Sequence, residues 1–172
     1  MTEASADKVT IVVTGLAWMG RGIRSIDSTI EEILLSATDE IQIAAYVITS
    51  GAEGFVRLVA NCLTRGVKVT LVVNRFGNQP RKMQNMIMDL LHQFPHFSLF
   101  QFSPKAKNED LHAKIIVVDR KKALIGSSNL SWKGLILNHE IAVIVDGPSA
   151  ARIGSLVDML SRDKRTKAIK PF

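Results

Sequence analysis

The sequence predicts an α/β fold, a sandwich in which helices cover a mixed sheet, and three observations carry that expectation. Strand-like and helix-like blocks alternate over residues 9–102. Three β-branched runs then follow within residues 111–146, too close together for crossover helices, so that part of the sheet is expected to pair antiparallel. Finally, 172 residues with 47% hydrophobic and 22% charged content suit one domain around one core.

Each element has its own signal. VTIVVTG (9–15) is a β-branched run ended by glycine, hence a strand. SIDSTIEEILLSAT (25–38) sets Ile26, Ile30, Ile33, Leu34 and Ala37 on one helical stripe, with Ser25 or Asp27 as its cap. EIQIAAYVIT (40–49) reads as a buried strand. The next helix gathers Phe55, Leu58, Val59 and Cys62 and stops at Gly66. VKVTLVVN (67–74) is a strand, and Pro80 opens a third helix over 80–93. Met83, Met86 and Met88 on that helix read as core or dimer-packing residues.

HFSLFQF (96–102) returns to strand character. LHAKIIVVD (111–119), KALIGSSN (122–129) and EIAVIVD (140–146) are the close-set strands, and Pro148 begins a last helix through about Leu160. The order is β-α-β-α-β-α-β-β-β-β-α. Residues 1–160 are expected to form the domain, and 161–172 a basic C-terminal tail.

Composition excludes several classes. One cysteine rules out a disulfide scaffold and a multi-thiolate zinc site, and Cys62 reads as a buried helix residue. No window of 18 residues is free of charge, so no integral membrane association is expected. The start MTEASADK lacks the basic opening and apolar run of a signal peptide, and a cytoplasmic location is expected. The net charge of +6 suggests a polyanionic partner. Five basic residues and one acidic fall within 161–172, so most of that excess belongs to the tail.

The chemistry concentrates in residues 111–141. His112 and Lys114 lie two apart on an expected strand, so both side chains leave one face. A histidine beside a lysine in an Ile/Val strand is costly to bury without a function. Asp119 falls on the opposite face, as a structural anchor. Gly126-Ser127-Ser128-Asn129 brings small polar groups to the end of the neighbouring strand, where Ser127 and Asn129 can hold phosphate oxygens alongside Lys114. Glu140 opens the next strand as a carboxylate able to orient an imidazole.

The pattern H-x-K-x4-D-x6-G-S-x-N, made by His112, Lys114, Asp119, Gly126, Ser127 and Asn129, resembles the HKD motif of the phospholipase D superfamily. Asn138-x-Glu140 resembles that family's acidic follow-up. The resemblance implies phosphodiester hydrolysis with no metal and no cofactor. A histidine attacks phosphorus to give a phosphohistidine, and the histidine of a second motif protonates the leaving oxygen and then activates water. Lys114, Ser127 and Asn129 would steady the phosphoryl charge, and Glu140 would orient the partner motif's histidine.

This chain has one such motif. His92, His96 and His139 have no H-x-K follower, so the resemblance implies a homodimer with a shared active site, as in the family's small single-motif nucleases. It further implies activity in EDTA and a bell-shaped pH profile. The expected function is endonuclease cleavage of DNA or RNA. A phospholipase or cardiolipin hydrolase, and a catalytically idle nucleic-acid-binding dimer, are the alternatives.

Other signals are weaker. GLAWMGRG (15–22) lacks the lysine and hydroxyl of a nucleotide-binding loop and is expected at the mouth of the site, with Trp18 and Arg21 toward substrate. Arg75, Lys105, Trp132 and Lys133 are candidate substrate contacts, with Lys107 beside Lys105; Trp132 can stack on a base or pack in a dimer interface. Arg120-Lys121-Lys122 is expected as a solvated hairpin turn. A separate targeting protein is a possible partner.

Overall fold

The computed structural model describes residues 6–18, 20–104 and 109–171. Along the chain, β1 (Lys8–Thr14) and the two-residue β2 (Arg24–Ser25) precede α1 (Ile26–Leu35). Then β3 (Glu40–Ala45), α2 (Glu53–Thr64), β4 (Lys68–Asn74), α3 (Arg81–Gln93) and β5 (Phe97–Phe102) alternate. Next come β6 (Ile115–Val118), β7 (Lys122–Gly126), β8 (Glu140–Asp146), α4 (Pro148–Ser161) and β9 (Thr166–Ile169).

The described strands form one sheet in the order β2-β1-β8-β7-β6-β3-β4-β5-β9. β3, β4 and β5 run parallel, joined by α2 and α3 as crossovers, whereas β6, β7, β8 and β1 pair antiparallel. The mixed sheet with helices on both faces is the expected sandwich.

Alternation along the strands divides the core. Ile41, Ile43, Val69, Leu71 and Leu124 face α1, α2 and α3, and meet Ile30, Ile33, Val59, Leu63 and Ile87. The opposite rows meet α4 through smaller clusters, Val117 and Ala123 against Ala150, and Val72 against Val157. Ser25 caps α1, its hydroxyl accepting the Ser28 N–H at 3.2 Å. Met83 is fully buried, with Met86 and Met88 packed against the main core, and Cys62 is buried, its thiol donating to the Leu34 carbonyl.

A polar staple fixes α4. The buried Gln42 donates to Gly154 O and to Asp158, and Arg120 joins Asp158 to Glu40. A Cβ on Gly154 would lie 2.5 Å from Gln42 Oε1, which explains a glycine inside this helix.

Five sequence expectations change. The strand expected over 122–129 ends at Gly126, so Ser127 and Asn129 follow β7 rather than extend it. β3 ends at Ala45, so residues 46–49 leave the sheet apart from an isolated bridge between Ile48 and Leu130. β6 begins at Ile115, so His112 and Lys114 stand on the irregular segment that enters it. Arg120 is not a solvated turn residue, because its guanidinium spans two carboxylates. Residues 166–169 of the expected tail pair with β5 as β9, while Arg165 bonds to Asp163 and Glu109. The open edge of β5 accepts a short strand, Thr-Lys-Ala-Ile, whose one large apolar residue, Ile169, packs against the main core.

Candidate active site

The strand directions bring the ends of six strands to one end of the sheet. β1, β3, β4 and β7 finish there, and β6 and β8 begin there. This is the rim outside the carboxyl ends of the parallel strands, where α/β folds place ligands.

His112 is exposed at that rim, and Lys114 is half-buried beside it. Lys114 Nζ lies 3.2 Å from His112 Nδ1 and donates to His112 O at 2.9 Å. The Tyr46 ring lies 4.5 Å from the imidazole, tilted by 50°, with Lys114 Nζ 5.2 Å from the phenol ring centroid. Burial pushes the Lys114 ammonium below its ordinary range, and the Glu140 charge opposes that shift.

Behind His112, Asp110 accepts from Arg75 Nε at 2.9 Å and from Asn74 Nδ2 at 3.1 Å. The Arg75 and Asn74 bonds hold its carboxyl below the usual carboxylate range, so Asp110 is a fixed anion near the imidazole. Asn74 Oδ1 also accepts the Leu111 N–H, which ties the segment ahead of His112 to the end of β4.

On the other side of the rim, the Ser127 hydroxyl donates to one Glu140 oxygen, and Asn138 donates to the other at 3.1 Å. Gly126 sits so close to β8 that a Cβ would lie 2.4 Å from the Ala142 Cβ, which requires glycine there. Asn129 is half-buried, and its carboxamide oxygen has no partner among the described residues.

Asp119 is at the opposite end of the sheet. Its carboxylate accepts from the backbone N–H groups of Thr38, Asp39 and Glu40 and from the Thr38 hydroxyl. It occupies the left-handed region at φ 50, beside Arg120 at φ 52, and so combines the turn into β7 with an anchor on the start of β3.

The candidate contacts scatter. Arg75 lies at the rim, also bonded to the Glu109 carbonyl, and Lys105 and Lys107 fall outside the described residues. Trp132 is 52% exposed, and Lys133 begins a π-helical turn over Lys133–Leu137. Trp18 stands edge-on to His139, 5.4 Å away, and His139 Nε2 accepts the Ala17 N–H, which pins the loop after β1; Arg21 is exposed. His92 and His96 bond to the backbone carbonyls of Met88 and Leu63.

Tyr46, Asn74 and Asp110 escaped the sequence reading. The available signals were a lone tyrosine after the Ala-Ala end of β3 and a buried asparagine closing an apolar strand. Among the described residues no three His, Cys, Asp or Glu side chains gather as metal ligands, and no helix is long and apolar enough to cross a membrane.

A mixed sheet with His112 and Lys114 at its rim and a fixed carboxylate across from them defines a phospholipase D-type α/β domain. The family described as cardiolipin synthase, PLD-like domain, matches residues 30–157, and the chain belongs to that family. It is 27% identical over 125 residues to the DISARM protein DrmC of Bacillus paralicheniformis, covering 73% of this chain and 51% of that protein. It is also 27% identical over 104 residues to cardiolipin synthase A of Buchnera aphidicola, covering 59% of this chain and 20% of that protein. The chain thus spans about half or less of the length of these curated relatives.

Among solved structures, Nuc from Salmonella typhimurium, a phospholipase D family member, superposes with a TM-score of 0.73 at 20% identity, over 96% of this chain and 99% of that one. NucT from Helicobacter pylori gives 0.72 at 21%, over 90% and 95%. Phosphatidylserine synthase of Haemophilus influenzae gives 0.73 at 15%, over 98% of this chain but 41% of that one.

Proposed function

We propose that this domain is a cytoplasmic, metal-independent phosphodiesterase that cuts nucleic acid through a phosphohistidine, in a site shared by two copies of the chain. The observation that carries the reading is the pairing of His112 with Lys114, 3.2 Å apart at an open rim, with no second imidazole beside them. The other three histidines are engaged with Ala17, Met88 and Leu63.

In the first step a His112 ring nitrogen forms a bond to phosphorus as the bond to the leaving oxygen breaks. The partner copy's imidazole gives that oxygen its proton. Water then attacks phosphorus and loses a proton to the same imidazole, which frees His112 and a phosphate monoester. Lys114 and the Asn129 amide stabilise the charge on the transferring group.

A second copy has a surface to meet. On the α4 face of the sheet, Val9, Ile11 and Ile141 are 60%, 59% and 51% exposed, and Ile141 donates its backbone N–H to Ser127 at the rim. Nucleic acid is favoured over lipid by the near-complete overlap with the small Nuc and NucT chains, set against 41% of the phosphatidylserine synthase. The archaeal chromatin protein TrmBL2, described with a novel mode of DNA binding, also shares the fold at a TM-score of 0.61.

The test is incubation of the protein in EDTA with plasmid, single-stranded DNA and RNA, beside cardiolipin and phosphatidylcholine vesicles. Cleavage of a nucleic acid in EDTA, lost in His112→Ala while binding persists, is expected. Strict dependence on a divalent ion, or hydrolysis of the vesicles alone, would overturn the reading.

A further inference from the structure

A cleft of about 330 Å³ opens between the ends of β3 and β4, and Tyr46 in its wall is the ring that also meets His112. Its walls carry Tyr46, Thr49, Asn78, Arg75 and Asp110, and its volume is in the range of small-molecule sites. We propose that this cleft is a nucleoside subsite, in which a base stacks on Tyr46 while the phosphate joined to that nucleoside lies at His112. The inference rests on the nucleic-acid reading above and names the part of the substrate that the cleft holds.

Three observations converge. Tyr46 is half-exposed, its ring is 4.5 Å from the imidazole that meets phosphorus, and it also lines the cleft, so a group esterified to that phosphorus is within reach of the ring on its cleft side. Aromatic faces bind bases with little regard to sequence. Asp110 is locked by Arg75 and Asn74 as an ionised acceptor in the cleft wall, suited to a sugar hydroxyl or a base N–H. A diacylglycerol offers no donors of that kind and would leave the carboxylate facing hydrocarbon.

Arg75 holds φ 43, in the left-handed region that a long side chain rarely adopts. Its backbone N–H donates to Phe102 O at 2.8 Å, and its guanidinium turns back onto Asp110. Such a conformation persists where the surroundings enforce it, and here it shapes the cleft wall.

The experiment compares two esters with one leaving group, thymidine 5′-(p-nitrophenyl phosphate) and methyl p-nitrophenyl phosphate, with the thymidine 3′ isomer as a second nucleoside probe. The ratio of kcat/KM for a thymidine ester over the methyl ester is the readout, because a loss of chemistry at His112 cancels in it. The parent should prefer at least one thymidine ester. Tyr46→Ala and Tyr46→Leu should cut that preference about 10- to 100-fold, chiefly through KM, and Tyr46→Phe should keep it. Asn78→Ala, in the cleft wall, should lower it several-fold.

An unchanged ratio in both Tyr46→Ala and Tyr46→Leu overturns the subsite. A parent that hydrolyses the methyl ester with no thymidine preference overturns the subsite and leaves the phosphodiesterase reading standing. A parent that turns over none of the esters and cuts no nucleic acid overturns both.

Discussion

Ser127 donates its hydroxyl proton to Glu140, and the same oxygen accepts the Ile141 N–H at 3.2 Å. The hydroxyl has one proton, so Ser127 can reach a phosphate oxygen only by releasing Glu140. In this arrangement the hydroxyl is engaged with the carboxylate of Glu140.

Glu140→Gln separates charge from shape. A glutamine can still accept from Asn138 through its oxygen and can donate its amide N–H to the Ser127 hydroxyl oxygen in place of the second bond, so stability measured by urea unfolding should change by less than about 0.5 kcal/mol. The rate of phosphodiester cleavage should fall about 10- to 100-fold as the carboxylate charge disappears. A parent-like rate would remove Glu140 from the mechanism.

The titration of Lys114 should report Glu140. Burial already depresses its pKa from the ordinary 10.5, and Glu140 is the group that raises it. Removing that charge in Glu140→Gln therefore moves the loss of the Lys114 proton to lower pH, as read by NMR of the labelled lysine side chain. A midpoint that stays in place, or moves upward, would mean that another group controls it.

Acid should weaken the anchor at the far end of the sheet. Burial pushes the Asp119 pKa up, but the backbone N–H groups of Glu40, Asp39 and Thr38 outweigh it and leave the pKa below the ordinary 3.8. The folded pKa is depressed, so the stabilisation is full above the unfolded value and is lost as pH falls through the folded one. Asp119→Ala should cost about 1–2 kcal/mol at pH 7, since the site is partly solvent-screened and the left-handed turn also suffers. Asp119→Asn should cost less. Urea unfolding of parent and variants at pH 7 and pH 3 checks both, and the gap between parent and Asp119→Ala should narrow at pH 3.

Mixing tests the shared site. If each catalytic centre needs His112 from two copies, activity should follow the square of the parent fraction. An equal mixture of parent and His112→Ala with free subunit exchange should then retain about a quarter of the all-parent rate. Retention of about half would place a complete site in each chain. Ile11→Glu together with Ile141→Glu, on the exposed row of the α4 face, should yield monomers by sedimentation and abolish cleavage.

Most of the fold was legible because its signals are local. The stripe of Ile26, Ile30 and Ile33, the Ser25 cap and the β-branched runs each act within a few residues of their own position. The limits of β3 and β6 were not legible, since Tyr46 and His112 sit in apolar runs that resemble continued strand. The site was half visible in the same way. His112, Lys114, Ser127, Asn129 and Glu140 are marked by type and spacing, whereas Tyr46, Asn74 and Asp110 join the rim only because β3 and β4 end where β6 begins.

What the sequence determined by itself is the set of strands and helices and the motif that carries the chemistry, because periodicity and spacing are short-range properties. Tertiary structure alone decided which partner each polar group takes. Asp119 meets residues 38–40 across some 80 positions of chain, Arg165 meets Glu109 across 56, and a polar C-terminal segment becomes the edge strand β9. Hydrogen bonds and ion pairs depend on distance and direction, and those exist only after the apolar faces have packed.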